Sequence, residues 1–167
     1  MTAVHRFHVP ARARDEGRGA RVVDDLITEL RLGWIRRVAF VVLGEARWTL
    51  PLYQVAITTA RRGWSVGLAD ARYWFVTSEP VPLAGRGPAA RAEVSAKLEP
   101  EGITFIGSTF ADLRPGVVLL DPQGEVLEVD RVVTLSDLRR VSDTPRDAPP
   151  VAGRREEVAS LPSRRRP

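Results

Sequence analysis

The chain has 167 residues, 44% hydrophobic and 28% charged, which fits about one globular domain with a core of its own. Cysteine is absent, so a structural disulfide, a cysteine-based zinc site and a Cys-x-x-Cys redox pair are excluded. The net charge of +4 is uneven: residues 1–19 hold four Arg against two acids, residues 20–138 thirteen cations against fifteen acids, and residues 139–167 eight Arg against four acids.

Residues 1–19 have little apolar material beyond Val4, Phe7 and Val9, and read as a flexible basic arm with a short strand at 4–9. From Val22 the apolar period is helical: Val22, Val23, Leu26, Ile27 and Leu30 share a face, and Gly33 is the stop. Val38 to Leu43 is a continuous apolar run of strand length, which predicts a strand covered on both faces and ended by Gly44. Pro51 suits the first turn of a second helix, where a missing N–H breaks no helical bond. Leu52, Val55, Ala56, Thr59 and Ala60 supply its buried side. Tyr73 to Thr77 predicts the next strand, closed by Pro80 and Pro82, and a third helix over 89–98 leads into a strand at 103–106. Val117 to Leu120, a turn at 121–124 and Val126 to Val129 predict a hairpin, and Val132 to Leu135 a last strand. Residues 139–167, with five prolines and a closing run Arg164 to Arg166, cannot bury enough apolar surface to offset chain entropy and predict a disordered tail. This order predicts an α/β fold with a mostly parallel sheet and an antiparallel hairpin excursion.

Open parallel sheets bind ligands outside the carboxyl ends of their strands. A dinucleotide needs a close backbone approach, a helix N-terminus facing the pyrophosphate, and a carboxylate for the ribose hydroxyls. Gly44, the helix starting near Pro51, and Glu79 are the candidates. The run Leu43-Gly44-Glu45-Ala46-Arg47-Trp48 has one glycine rather than a GxGxxG fingerprint. Glu79 follows Gly44 by 35 residues, where the usual acid follows by about 20. On the residues alone, Gly44 also reads as a plain turn and Glu79 as a solvated loop acid. Thr77, Ser78, Ser108 and Thr109 can bind phosphate or satisfy turn backbone groups. Trp48 can cover a ligand from its loop, whereas Trp74 alternates within a strand and reads as core. His5 and His8 are the only histidines and both lie in the arm, so neither a metal site nor a Ser-His-acid constellation is expected. The basic tail lacks aromatics and reads as solvated rather than as a nucleic-acid contact. No run approaches the roughly 18 apolar residues of a membrane span, and no signal-peptide stretch opens the chain, so a cytoplasmic protein is expected. Lys97 is the single lysine, and this arginine excess suggests the codon usage of a GC-rich genome.

The segments RRVAFVVLGEARWTLPLYQVAITTARR, YWFVTSEPVPL, GITFIGSTF and GEVLEVDRVVTL resemble, in order and spacing, the NAD-binding lobe of FAD-dependent pyridine nucleotide-disulfide oxidoreductases. The resemblance is to the branch related to sulfide:quinone oxidoreductases and type II NADH dehydrogenases, and it covers residues 20–138. It implies a Rossmann-like, three-layer lobe inserted in a larger flavin-binding domain. It also implies that Gly44 makes the turn after the first strand, that Glu79 contacts the adenine ribose, that Gly107 lets the nicotinamide end approach the flavin, and that Asp130 begins the strand returning to the flavin domain. Trp48 and Thr77 complete the expected cofactor-binding set. A flavin fingerprint before Arg36 and the redox cysteines of many relatives are missing, so the expectation is a lobe without catalytic residues of its own. Such a lobe binds NAD(H) weakly and meets FAD only where a flavin-binding polypeptide supplies it, with a homodimer as the other possible partner. The alternative is a non-enzymatic protein-interaction module on a degenerate Rossmann-like scaffold.

Overall fold

A computed structural model describes residues 11–140 apart from Ala46. The elements in chain order are α1 (Ala11–Arg31), β1 (Arg37–Val41), α2 (Leu50–Ser65), β2 (Arg72–Val76), α3 (Pro88–Leu98), β3 (Ile103–Ile106), β4 (Phe110–Arg114), β5 (Val117–Asp121), β6 (Glu125–Glu128), β7 (Arg131–Thr134) and α4 (Leu135–Arg140). β1, β2, β3 and β7 form one parallel sheet in the order β3-β2-β1-β7, and β4-β5-β6 form a separate antiparallel sheet. The chain thus steps outward from β1 to β3, crosses back through the small sheet, and adds β7 on the other side of β1.

The continuous apolar run of β1 is explained by this arrangement, because both of its faces are covered. Val38, Phe40 and Val42 join a core built with Val23, Leu26 and Leu30 of α1 and Leu52, Val55 and Ala56 of α2. Ala39 and Val41 point the other way and pack with Val76 on Val118 and Leu120 of β5. The strand alternation therefore divides one run of residues between two cores, giving the three layers of helices, parallel sheet and antiparallel sheet. Burial of each large aliphatic side chain contributes about 1.5–3 kcal/mol as an upper estimate.

Four features differ from the sequence expectation. The helix expected from Val22 begins at Ala11, so residues 11–19 of the expected arm are helical. Gly19 lies where a Cβ would sit 3.2 Å from the Val55 side chain, which places α1 close against α2. The excursion has a third strand, β4, whose residues alternate between half-buried Ala111 and Leu113 and exposed Phe110, Asp112 and Arg114. Only two inward apolar positions, one of them a small alanine, with an acidic residue between them are a weak strand signal, and pairing with β5 is what recruits the segment. β6 ends at Glu128, and Val129 turns in to be buried with its N–H on the Gly116 carbonyl. Finally α4 follows β7 directly, its start marked by Asp137 accepting the Thr134 N–H at 2.7 Å and the Thr134 hydroxyl at 2.9 Å. Gly33 acts as the stop expected of it: at φ 74° it donates to the Leu30 carbonyl while Trp34 donates to Glu29, the paired bonds of a Schellman end. The strand expected at 4–9, His5, His8 and residues 141–167 of the expected tail lie outside the described residues.

Candidate functional site

The site lies at the carboxyl edge of the parallel sheet. After β1 the chain continues through Val42, whose N–H bonds the Val76 carbonyl, to Gly44 at φ 65°. Among the described residues, no atom beyond its chain neighbours lies within 4 Å of the position a Gly44 Cβ would take, so this glycine serves the turn and leaves open space in front of it. The Ser78 hydroxyl donates to the Gly44 carbonyl at 3.2 Å and ties the loop after β1 to the loop after β2.

α2 starts directly beyond this loop with Thr49 as its N-cap and Pro51 in its first turn. The Thr49 carbonyl accepts from Leu52 and Tyr53, and Pro51 brings no N–H, so the first turn turns few donors outward. The Thr49 hydroxyl makes no cap bond. It donates instead to the Glu79 carboxylate, at 3.4 Å to Oε1 and 3.3 Å to Oε2. One helical turn later the Tyr53 hydroxyl donates to Glu79 Oε2 at 3.1 Å. Tyr53 is fully buried, its ring stacked on Phe75 with centroids 3.9 Å apart and planes 12° apart. Desolvation, followed by the charge and hydrogen bond of Glu79, pushes the phenol far above its ordinary pKa, and a hydrogen bond from the Leu83 backbone opposes this. Tyr53 therefore keeps its hydroxyl hydrogen and acts as a hydrogen-bond donor to Glu79.

The backbone of Glu79 is held as firmly as its side chain. Its N–H donates to the Thr77 hydroxyl at 3.2 Å and its carbonyl accepts the Ser108 N–H at 3.0 Å. Ser108 sits at φ 53°, an uncommon conformation for a residue with a Cβ. At Gly107 a Cβ would lie 2.7 Å from the Glu79 carbonyl oxygen and 2.7 Å from the Phe105 ring, so the loop after β3 passes this close only with glycine there. Thr109 is buried, donating from its N–H to the Thr77 carbonyl and from its hydroxyl to the Gly107 carbonyl.

The structure thus brings Gly44, Thr77, Glu79 and Gly107 onto one edge, with Ser78 and Ser108 as the links between their loops. Thr77 is fully buried and its hydroxyl is engaged by Glu79. Trp48 stands to one side, 43% exposed, with the Arg86 guanidinium 4.2 Å from its ring centroid. Its other neighbours line a groove of about 630 Å³ between the helices, walled by Val23, Leu50, Val55, Leu135 and Leu138. Sequence reasoning missed Tyr53 and Thr49 as partners of Glu79, and Arg86 as the partner of Trp48. The i, i+4 spacing of Thr49 and Tyr53 on the first turn of α2 was the available signal.

Together the parallel sheet, its helices and the antiparallel sheet are the fold of part of the FAD-dependent pyridine nucleotide-disulfide oxidoreductases. The sulfide:quinone oxidoreductase of the hyperthermophilic bacterium Aquifex aeolicus is similar over 58% of this chain and 24% of its own, with 19% identity and a TM-score of 0.52. A ferredoxin reductase from Rhodopseudomonas palustris is similar over 69% of this chain and 26% of its own, with 14% identity and a TM-score of 0.48. The chain therefore spans about a quarter of the length of these structures. No family model and no curated protein matches the sequence. No helix among the described residues is long and apolar enough to cross a membrane.

Proposed function

We propose that residues 11–140 are the NADH-binding lobe of an FAD-dependent NAD(P)H oxidoreductase and are not catalytic by themselves. The observation that carries this reading is the Glu79 carboxylate, held beside the first turn of α2 by Thr49 and Tyr53. An acid at that place suits the adenine ribose hydroxyls, and the open space at Gly44 suits a pyrophosphate approaching the backbone. Trp48 covers the ligand from the loop between them. When bound, the nicotinamide would supply a hydride to a flavin held outside residues 11–140. Affinity is expected to be weak, since Glu45 brings a negative charge to the loop and Pro51 withdraws a donor from the helix end. A carboxylate repels a 2′-phosphate, so NADH is preferred over NADPH. Calorimetric titration of the purified chain tests this: heat with NADH at submillimolar concentration and less with NADPH supports it, and no heat at millimolar NADH overturns it.

The groove beside Trp48 favours a second reading, an interaction module that buries this apolar surface against another protein. A chain that binds neither nucleotide yet co-purifies stoichiometrically with a flavoprotein would support that reading in place of the first.

A further inference from the structure

The Glu79 carboxylate has about four acceptor positions on its two oxygens. Two protein hydroxyls use part of that capacity, and both come from one rigid source, the first turn of α2. Tyr53 cannot swing away: its ring is fully buried and stacked on Phe75, with centroids 3.9 Å apart. Glu79 is half-buried, so the residue that meets these donors also keeps some exposure to solvent.

We propose that Tyr53 and Thr49 are positioning residues that set the nucleotide selectivity of this site, by fixing the Glu79 carboxylate so that its free acceptor positions match a vicinal diol and oppose a phosphate. The proposal rests on the dinucleotide reading above. A carboxylate held by two donors has already lost its rotamer freedom, so a ribose 2′,3′-diol binds without that entropic cost. The same restraint stops the charge from turning away from a 2′-phosphate. Freed from Tyr53, the carboxylate is less pre-organised for the diol and a more evasive neighbour for the phosphate, so the two ligands respond in different senses.

The test titrates NADH and NADPH by calorimetry into the full chain, Tyr53→Phe and Thr49→Val, with a urea midpoint for each protein. Tyr53→Phe keeps the stack on Phe75. Thr49→Val leaves the Tyr53 bond in place, so it carries the test if the first variant unfolds. Each variant is expected to raise the Kd for NADH about fivefold or more while the Kd for NADPH stays within about twofold or falls. An unchanged NADH affinity, or a parallel rise for both nucleotides, overturns the proposal and leaves the dinucleotide reading standing. Equal affinities of the unmodified chain for the two nucleotides do the same. Failure of the unmodified chain to bind NADH overturns the dinucleotide reading and the proposal with it.

Discussion

Asp130 and Arg37 meet where β1 and β7 begin, although 93 positions separate them. One Asp130 oxygen accepts the backbone N–H groups of Arg36 and Arg37, each at 2.8 Å, and the other accepts the Arg37 guanidinium at 3.0 Å. The Arg37 side-chain bond and these backbone bonds hold the Asp130 carboxyl below the usual aspartate range. A carboxyl whose pKa is lower in the folded than in the unfolded chain adds stability above the unfolded value, near 3.9, and loses it as pH falls through the folded value. Asp130→Asn is expected to cost about 1–2 kcal/mol at neutral pH, since three donors lose a charged acceptor. The urea midpoints of the two proteins should begin to converge as pH drops below about 4 and meet only below the lower folded-state value, where the carboxyl is neutral in the folded chain too. A gap that does not narrow as pH falls through this range would show that charge is not the cause.

Gly63 and Tyr73 form a second coupled pair. The Tyr73 hydroxyl is buried with no partner among the described residues, and burial, aided by Asp70, pushes its pKa up to about 12. A Cβ on Gly63 would lie 2.5 Å from that oxygen. Gly63→Ala should therefore destabilise the fold by about 1–3 kcal/mol despite the better helix propensity of alanine. Tyr73→Phe removes the unpartnered hydroxyl and should be neutral or stabilising by up to about 1 kcal/mol. The double variant should recover most of the Gly63→Ala loss, which denaturant unfolding of all four proteins in a cycle would reveal.

The legible and illegible parts of this chain differ in the range of the interactions behind them. The strand at 37–41 could be read directly because both faces are buried and every residue from Val38 to Val42 is apolar. The end of α1 was legible because Gly33 does its work within five residues. Glu79 could be placed at a strand end from local sequence, yet its partners Tyr53 and Thr49 lie 26 and 30 positions away and meet it only because α2 packs on β2. β4 was invisible because pairing with β5, and not its own pattern, makes it a strand. The expected hydroxyl ligand Thr77 shows the same limit, since its burial follows from the packing of two loops that strand periodicity does not describe.

Gly107 tests how far the loops after β2 and β3 depend on each other. A methyl group there would press on the Glu79 carbonyl and the Phe105 ring, both at 2.7 Å. The Phe105 ring is constrained in turn, at 6.4 Å from Phe75. Gly107→Ala should push the Glu79 backbone off the Ser108 N–H and destabilise the fold by about 1–3 kcal/mol. Hydrogen exchange should show the change first at the amides of Ser108 and Thr109, which bond to Glu79 and Thr77 across the gap. An unaltered exchange pattern would mean that the loop relaxes without moving Glu79.

Trp48 offers the sharpest separation of binding from stability. Its indole is 43% exposed and its main polar contact is the Arg86 guanidinium, an exposed cation–π pair worth about 0.5–1 kcal/mol. Trp48→Ala should therefore shift the urea midpoint by less than about 1 kcal/mol of stability. If the ring covers bound nucleotide, the same variant should weaken NADH binding about tenfold, the scale of one lost stacking contact. Arg86→Ala separates the two roles of the ring, because it removes the cation and leaves the indole free to cover the ligand. It should reproduce the small stability change and largely spare NADH affinity. A loss of NADH affinity in Arg86→Ala equal to that in Trp48→Ala would assign the contact to the guanidinium instead of the ring.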